Sequence, residues 1–297
     1  MDQMLTMDKK LDNLENKIDN LFFDLDGTLL QSDKTISKET LIALEKLKKQ
    51  NKKISIVTGR PYYFAKEEAE LLDIDFPIVA CNGSIVFDFK QNQVIFANPI
   101  DVQTTKMIFD ILIKYNITFL IYTTEQMIGF TRENHIPRWF NWLKNTLASK
   151  KPRHRFKIDF FSTNKAEKFD IEKHQIIKFL LIKEDCTSEQ ITLVKNKLQF
   201  FKNIYLLQSQ SNVIDVMPKN CSKGNALQWL AKNYHFSLEN TIVFGDEYND
   251  VSMFQVARYS VAMGQSAIDI KKYSTFETLS NNENGIANFI NLNLLKQ

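Results

Sequence analysis

Glycine and proline are scarce in this chain, eight and six among 297 residues, which leaves little room for long flexible linkers or disordered tracts. Cysteine is scarcer. Cys81, Cys186 and Cys221 lie far apart, with no metal-ligand spacing and no even-numbered framework, so a zinc site is not expected and a reducing cytoplasm is. The four histidines, His135, His154, His174 and His235, form no ligand pattern either. No run of about 18 apolar residues occurs, and no charged segment leads into an apolar one near the start. The expectation is a soluble, cytoplasmic protein without a membrane partner. An excess of one charge is also lacking: 38 basic residues face 35 acidic ones, a net +3 that gives nucleic-acid binding no global electrostatic support. What is present is ordinary globular composition, 44% hydrophobic and 25% charged, in a chain long enough for one large domain or two modest ones.

The stretch from Leu21 to Leu30 organises the rest. Leu21-Phe22-Phe23 suits a strand buried on both faces, and it runs into Asp24-Leu25-Asp26-Gly27-Thr28. Residues i and i+2 of a strand share a side, so Asp24 and Asp26 can point together beyond its end. Two carboxylates that close repel unless one is protonated or a cation stands between them, and a hard cation such as Mg²⁺ suits oxygen ligands. The plainer alternative is a strand ending in a polar turn.

Along the chain, residues 1–20 read as a polar N-terminal extension with Leu11, Leu14 and Ile18 at helical spacing, a short docking helix or, more simply, a frayed end. Ser37 suits an N-cap for a helix with Leu41, Leu44 and Leu47 on one face. Ile54 to Val57 reads as a strand running into Thr58-Gly59-Arg60-Pro61, with Pro61 in the first turn of a helix formed by Phe64 through Leu72. Ile78 to Ala80 is the next strand. This alternation predicts a parallel α/β sheet with right-handed crossovers. After Gly83 the pattern becomes a hairpin around Lys90-Gln91-Asn92 and then a mixed set of strands and helices, read as an α+β insert over 84–209. Alternation returns with a helix capped by Ser222, the strand Thr241 to Phe244 ending in Gly245-Asp246-Glu247-Tyr248-Asn249-Asp250, and the strand Tyr259 to Met263. Residues 21–83 and 210–297 then form one domain interrupted by the insert.

Four polar clusters fall at strand ends or a helix start, where open parallel sheets bind ligands. They are Asp24 with Asp26, Thr58 with Gly59, Lys223, and Asp246 with Asn249 and Asp250. Singly each reads as a turn, and Lys223 as a solvated lysine; in this order and placement they are hard to explain as turns.

The same order resembles the four motifs of the haloacid dehalogenase superfamily, and an insert between the second and third resembles its C2-capped, Cof-like hydrolases. Tyr259-Ser260-Val261-Ala262-Met263-Gly264 and Ser280 to Ala287 look like late signatures of that group, so the resemblance spans about residues 21–295. It implies a Rossmann-like parallel-sheet core with an inserted cap, and a Mg²⁺-dependent phosphatase of small phosphorylated metabolites, such as sugar phosphates, flavin mononucleotide or pyridoxal phosphate. By that resemblance Asp24 is the nucleophile and Asp26 the general acid/base. Asp24, Asp26 (through its backbone carbonyl) and Asp246 hold the metal; Thr58, Gly59, Lys223 and Asn249 hold the phosphoryl group; Asp250 orients Lys223 or metal-bound water. Gln265 and Ser266 depart from the common Asn-Ala of the family, a change expected to touch loop geometry, and Glu247 either adds charge near the metal or faces solvent. Rivals are a phosphomutase and a non-catalytic metabolite sensor.

Elsewhere, Lys150-Lys151-Pro152-Arg153-His154-Arg155 reads as a solvated basic surface or a contact for a second anionic group of the substrate. Trp139, Phe140, Trp142 and Leu143 read as core packing of the insert or an apolar substrate slot, and Tyr62 and Tyr63 as packing residues. No nucleic acid is expected as a partner, and the chain is expected to be a monomer or a weak homo-oligomer.

Overall fold

In the computed structural model, which describes residues 14–132, 137–208 and 211–295, five parallel strands form one sheet. In spatial order they are Phe276–Glu277, Tyr259–Ala262, Thr241–Gly245, Asn20–Phe23 and Lys53–Ile56. Phe22 stands opposite Val243 on one side and Ser55 on the other. The central strands are continuous apolar runs because both faces of the sheet are covered: Leu21, Phe22, Phe23, Ile242, Val243 and Phe244 are fully buried. Phe22 stacks on both Phe76 and Phe236, which also touch each other, and Phe23 stacks on Phe244. The helix Lys38–Lys49 begins as expected, with the Ser37 side chain accepting from the Thr40 N–H, and it buries Leu44 and Leu47.

Contacts divide the chain into two compact units. Of the described residues, one holds those up to Thr58, Ala69–Ile78 and those from Lys223 onward; the other holds those of Gly59–Glu68 and Val79–Ser222. The expected division at 209–210 lies outside the described residues, as do Leu11 and His135. Of the N-terminal extension, the short helix Leu14–Lys17 is described, and it is packed rather than frayed. Leu14 and Ile18 are buried, and the Asp19 N–H donates to the Asn240 carbonyl.

Ile78–Ala80 does not continue the parallel sheet. It belongs to a separate three-stranded sheet with the hairpin Ile85–Asp88 and Gln93–Ala97. The chain approaching it is tied to the edge strand by scattered bonds instead of a ladder: Asp75 accepts from the Ile54 N–H, and the Ser55 hydroxyl lies in reach of the Phe76 and Pro77 carbonyls. Pro77 has no N–H with which to extend a ladder.

The second unit is built on a mixed sheet of six strands, ordered Ile204–Leu207, Val213–Pro218, Ile176–Ile182, Phe119–Thr123, Met127–Thr131 and Ile158–Ser162. The helices Val102–Lys114 and Ser188–Leu198 pack on one face through Ile108, Phe109, Leu112, Val194 and Leu198. The strand Ile158–Ser162 was not expected; all five of its residues are half-buried, as suits an edge strand, so its alternation is weak. The basic run is not a solvated surface throughout. Lys150 and His154 are buried, and Lys150 pairs with Glu67 at 3.0 Å. Of the aromatic helix Arg138–Ser149 only Leu143 is buried, while Trp142 is 48% exposed. No helix among the described residues is long and apolar enough to cross a membrane.

Candidate active site

Asp24 follows the last residue of the central strand Asn20–Phe23, and its N–H donates to the Phe244 carbonyl, so the sheet's ladder sets its position. The chain then folds on itself: the Leu29 N–H donates to the Asp24 carbonyl and the Leu30 N–H to that of Leu25. Gly27 makes the turn possible. Its φ is +84°, and a Cβ there would stand 2.2 Å from Asp246 Oδ2. Close approach brings the Thr28 hydroxyl to Asp246, to whose Oδ1 it donates at 3.0 Å. Gln265 donates from Nε2 to the Gly27 carbonyl at 2.6 Å and accepts the Asn281 N–H, so this departure from the family pattern does tie loops together.

Lys223 is the first residue of the helix Lys223–Tyr234 and is fully buried, not solvated. Its ammonium donates to Asp24 Oδ1 at 2.6 Å and to Asp250 Oδ1 at 2.5 Å. The other Asp250 oxygen accepts the N–H groups of Asp246 and Glu247 at 2.9 and 3.0 Å. Asp250 therefore fixes both the lysine and the loop that follows the strand Thr241–Gly245. The helix start approaches this loop closely: a Cβ on Gly224 would fall 2.1 Å from the Ser252 carbonyl oxygen.

Carboxylate oxygens of Asp24, Asp246 and Asp250 lie within 4.8 Å of one another, and all three residues are buried. Burial pushes the Asp24 carboxyl up to about 7; Lys223 works against this, while Asp250 and Asp26 add to it. Burial, then repulsion from Asp24 and Asp250, lifts Asp246 to about 8. Burial alone would lower the Lys223 ammonium, but the Asp24 and Asp250 carboxylates outweigh it and hold the group above its usual range. A single ammonium among three buried carboxylates leaves an excess of negative charge. Hard oxygen donors with that excess fit a divalent cation such as Mg²⁺.

The other expected residues are placed less centrally. The Asp26 side chain is partly buried and accepts from Lys34 at 2.8 Å, and it is not part of the group formed by Asp24, Asp246 and Asp250. Thr58 is buried two residues beyond the edge strand Lys53–Ile56. Gly59 follows it but belongs to the second unit. The expected helix mouth behind them is absent. Residues from Pro61 form tight turns, with the Phe64 N–H donating to the Pro61 carbonyl, and the helix starts only at Lys66. Asn249 lies in the single turn Tyr248–Asp250 beside Asp250. Two contributors had no assigned role in the sequence reading, Thr28 and Ser252, the latter accepting the Gly224 N–H. Thr28 carried a signal, since it ends the Asp-Leu-Asp-Gly-Thr run; Ser252 carried none.

A family model described as haloacid dehalogenase-like hydrolase matches residues 21–290. The 5-amino-6-(5-phospho-D-ribitylamino)uracil phosphatase YwtE of Bacillus subtilis is 30% identical over 276 residues, covering 89% of this chain and 94% of that protein. The pyridoxal phosphate phosphatase YbhA of Escherichia coli is 26% identical, covering 91% of this chain and 96% of the relative. Among solved structures, a haloacid dehalogenase-like hydrolase from Bacteroides thetaiotaomicron superposes with a TM-score of 0.76 at 22% identity, covering 92% of this chain and 98% of that one, a likeness of fold. A family match over nearly the whole chain, joined to acids and a lysine at the ends of a parallel sheet, leads to one conclusion: the chain belongs to the haloacid dehalogenase-like hydrolase family, among its phosphatases.

Proposed function

We propose that the protein is a Mg²⁺-dependent phosphomonoesterase of small phosphorylated metabolites, working through an aspartyl-phosphate. One observation carries this reading: the Asp24 carboxylate, buried at a strand end, is held by the Lys223 ammonium at 2.6 Å beside Asp246. A carboxylate so placed is a fixed nucleophile with a cation beside it for an incoming phosphoryl group. The named substrates of its relatives, a phosphoribitylaminouracil and pyridoxal phosphate, supply the substrate class.

Asp24 forms a bond to phosphorus as the ester oxygen leaves, and Asp26 gives that oxygen its proton. Asp26 then takes a proton from water, whose oxygen attacks the same phosphorus, releasing inorganic phosphate and restoring Asp24. Asp26 lies two residues beyond Asp24 in the same loop, and its side chain is only partly buried. Lys223 neutralises phosphoryl oxygens, with Asp250 holding it in place, and Thr58, Gly59 and Asn249 supply further donors. Mg²⁺, held by Asp24, the Asp26 carbonyl and Asp246, would offset charge between nucleophile and phosphate. The insert over 84–209 is the substrate-selecting element.

The test is phosphate release from hexose and pentose phosphates, flavin mononucleotide, pyridoxal phosphate, nucleotides and an aryl phosphate, with and without Mg²⁺. Release that needs both Mg²⁺ and Asp24, and disappears in Asp24→Asn, is the expected result. Folded, Mg²⁺-bound protein that releases none would sink the reading and favour a mutase or a sensor.

A further inference from the structure

Strand geometry divides the residues of the six-stranded sheet between two faces. Phe119, Ile121, Phe179, Leu181, Ile214 and Val216 enter the core under the helices. Tyr122, Lys178 and Asp215 stand on the opposite face, where an apolar residue would be expected at each buried position. Lys178 and Asp215 are 3% and 0% exposed, and their Nζ and Oδ1 atoms are 2.5 Å apart. Such a pair is a poor stabiliser, because desolvation of both charges offsets their attraction and two well-packed apolar residues serve as well. Its presence asks for another explanation.

The ammonium supplies one. Lys178 Nζ also donates to the carbonyl of Gly59 at 3.1 Å, and the Tyr122 ring centroid lies 4.6 Å from it. The neighbouring backbone is held as well: the Cys81 N–H donates to the Arg60 carbonyl at 2.9 Å. Asn82 closes on Gly59 from the side, so that a Cβ there would stand 3.0 Å from its Oδ1. Gly59 is the residue peptide-bonded to Thr58, and the proposed function has both holding phosphoryl oxygens.

We infer that Lys178, oriented by Asp215, is a positioning residue for phosphate binding: by gripping the Gly59 carbonyl it fixes the Thr58-Gly59 loop in its receiving conformation. The inference rests on the phosphatase reading above. A loop so gripped loses less conformational freedom when phosphate arrives, which is where its affinity is gained.

The experiment uses the full chain with the double variant Lys178→Met/Asp215→Leu, which removes both charges and leaves neither buried alone. Thermal unfolding reads stability, inhibition by inorganic phosphate reads loop affinity, and hydrogen exchange of the 58–61 segment reads loop order. The expected result is a near wild-type melting temperature, at least tenfold weaker phosphate inhibition, a raised KM for an aryl phosphate, and faster exchange at 58–61. Unchanged inhibition and exchange in that folded variant would overturn the inference and leave the pair a packing feature. If the double variant does not fold, Lys178→Gln/Asp215→Asn removes both charges with less change of shape and is read by the same criteria. Failure of the phosphatase reading looks different, since it appears as absent phosphate release in the wild type, whereas exchange at 58–61 reports on the grip in either case.

Discussion

Lys223 Nζ stands 2.6 Å from Asp24 Oδ1 although the two residues are 199 positions apart, and neither is open to solvent. Removing the ammonium would leave Asp24 and Asp250 as buried carboxylates without a counter-charge. Lys223→Met should therefore lower unfolding free energy by about 3–5 kcal/mol without metal, and lower kcat by about a thousandfold or more. Urea unfolding and steady-state kinetics check both; a Lys223→Met protein as stable as the wild type in metal-free buffer would contradict the counter-charge role.

Asp246 is buried next to Asp24 and Asp250 and is repelled by both. A neutral side chain of the same shape relieves that repulsion and can keep the Thr28 hydrogen bond. Asp246→Asn should raise the melting temperature in EDTA while abolishing the rise that Mg²⁺ produces in the wild type. Thermal scans with and without MgCl₂ decide it, and an Mg²⁺ response that survives the substitution would remove Asp246 from the metal site.

Gly27 combines a φ of +84° with a carboxylate oxygen 2.2 Å from any Cβ. Gly27→Ala should cost about 1–3 kcal/mol from backbone strain, and activity should fall further than stability because Asp246 must move. A kcat within twofold of wild type would show that the loop has more room than its geometry allows.

Burial pushes the Cys81 thiol up from 9.0 to about 12, with Lys178 pulling the other way. The folded protein thus keeps a proton that the unfolded chain releases near pH 9. The stabilisation is complete below pH 9 and is lost as pH rises through 12. Thiol titration of the native protein at pH 8 should leave Cys81 unmodified, and Cys81→Ala should lose less stability than the wild type between pH 9 and 11. Parallel pH curves for the two proteins would contradict this.

The parallel core was legible because its strands are short apolar runs that end in acids or in Thr-Gly, a pattern set by residues adjacent in sequence. The helix starting at Lys66 was misplaced, since Pro61 can open a tight turn as readily as a helix, and contacts to the residues that follow decide between them. Ile158–Ser162 escaped notice for a related reason: a half-buried edge strand shows little alternation.

By itself the sequence determined which acids follow which strands, because β-strand and turn preferences are local and a buried strand advertises its hydrophobicity. Only the tertiary structure decided which distant groups share a dry space. It placed Lys223 between Asp24 and Asp250, buried Lys150 against Glu67, and set Lys178 on both Asp215 and the Gly59 carbonyl. A lysine carries the same letter whether it is solvated or buried. Its partner is chosen by how elements far apart in sequence pack, and the cost of desolvating an ammonium is recovered only where that packing brings carboxylates to it.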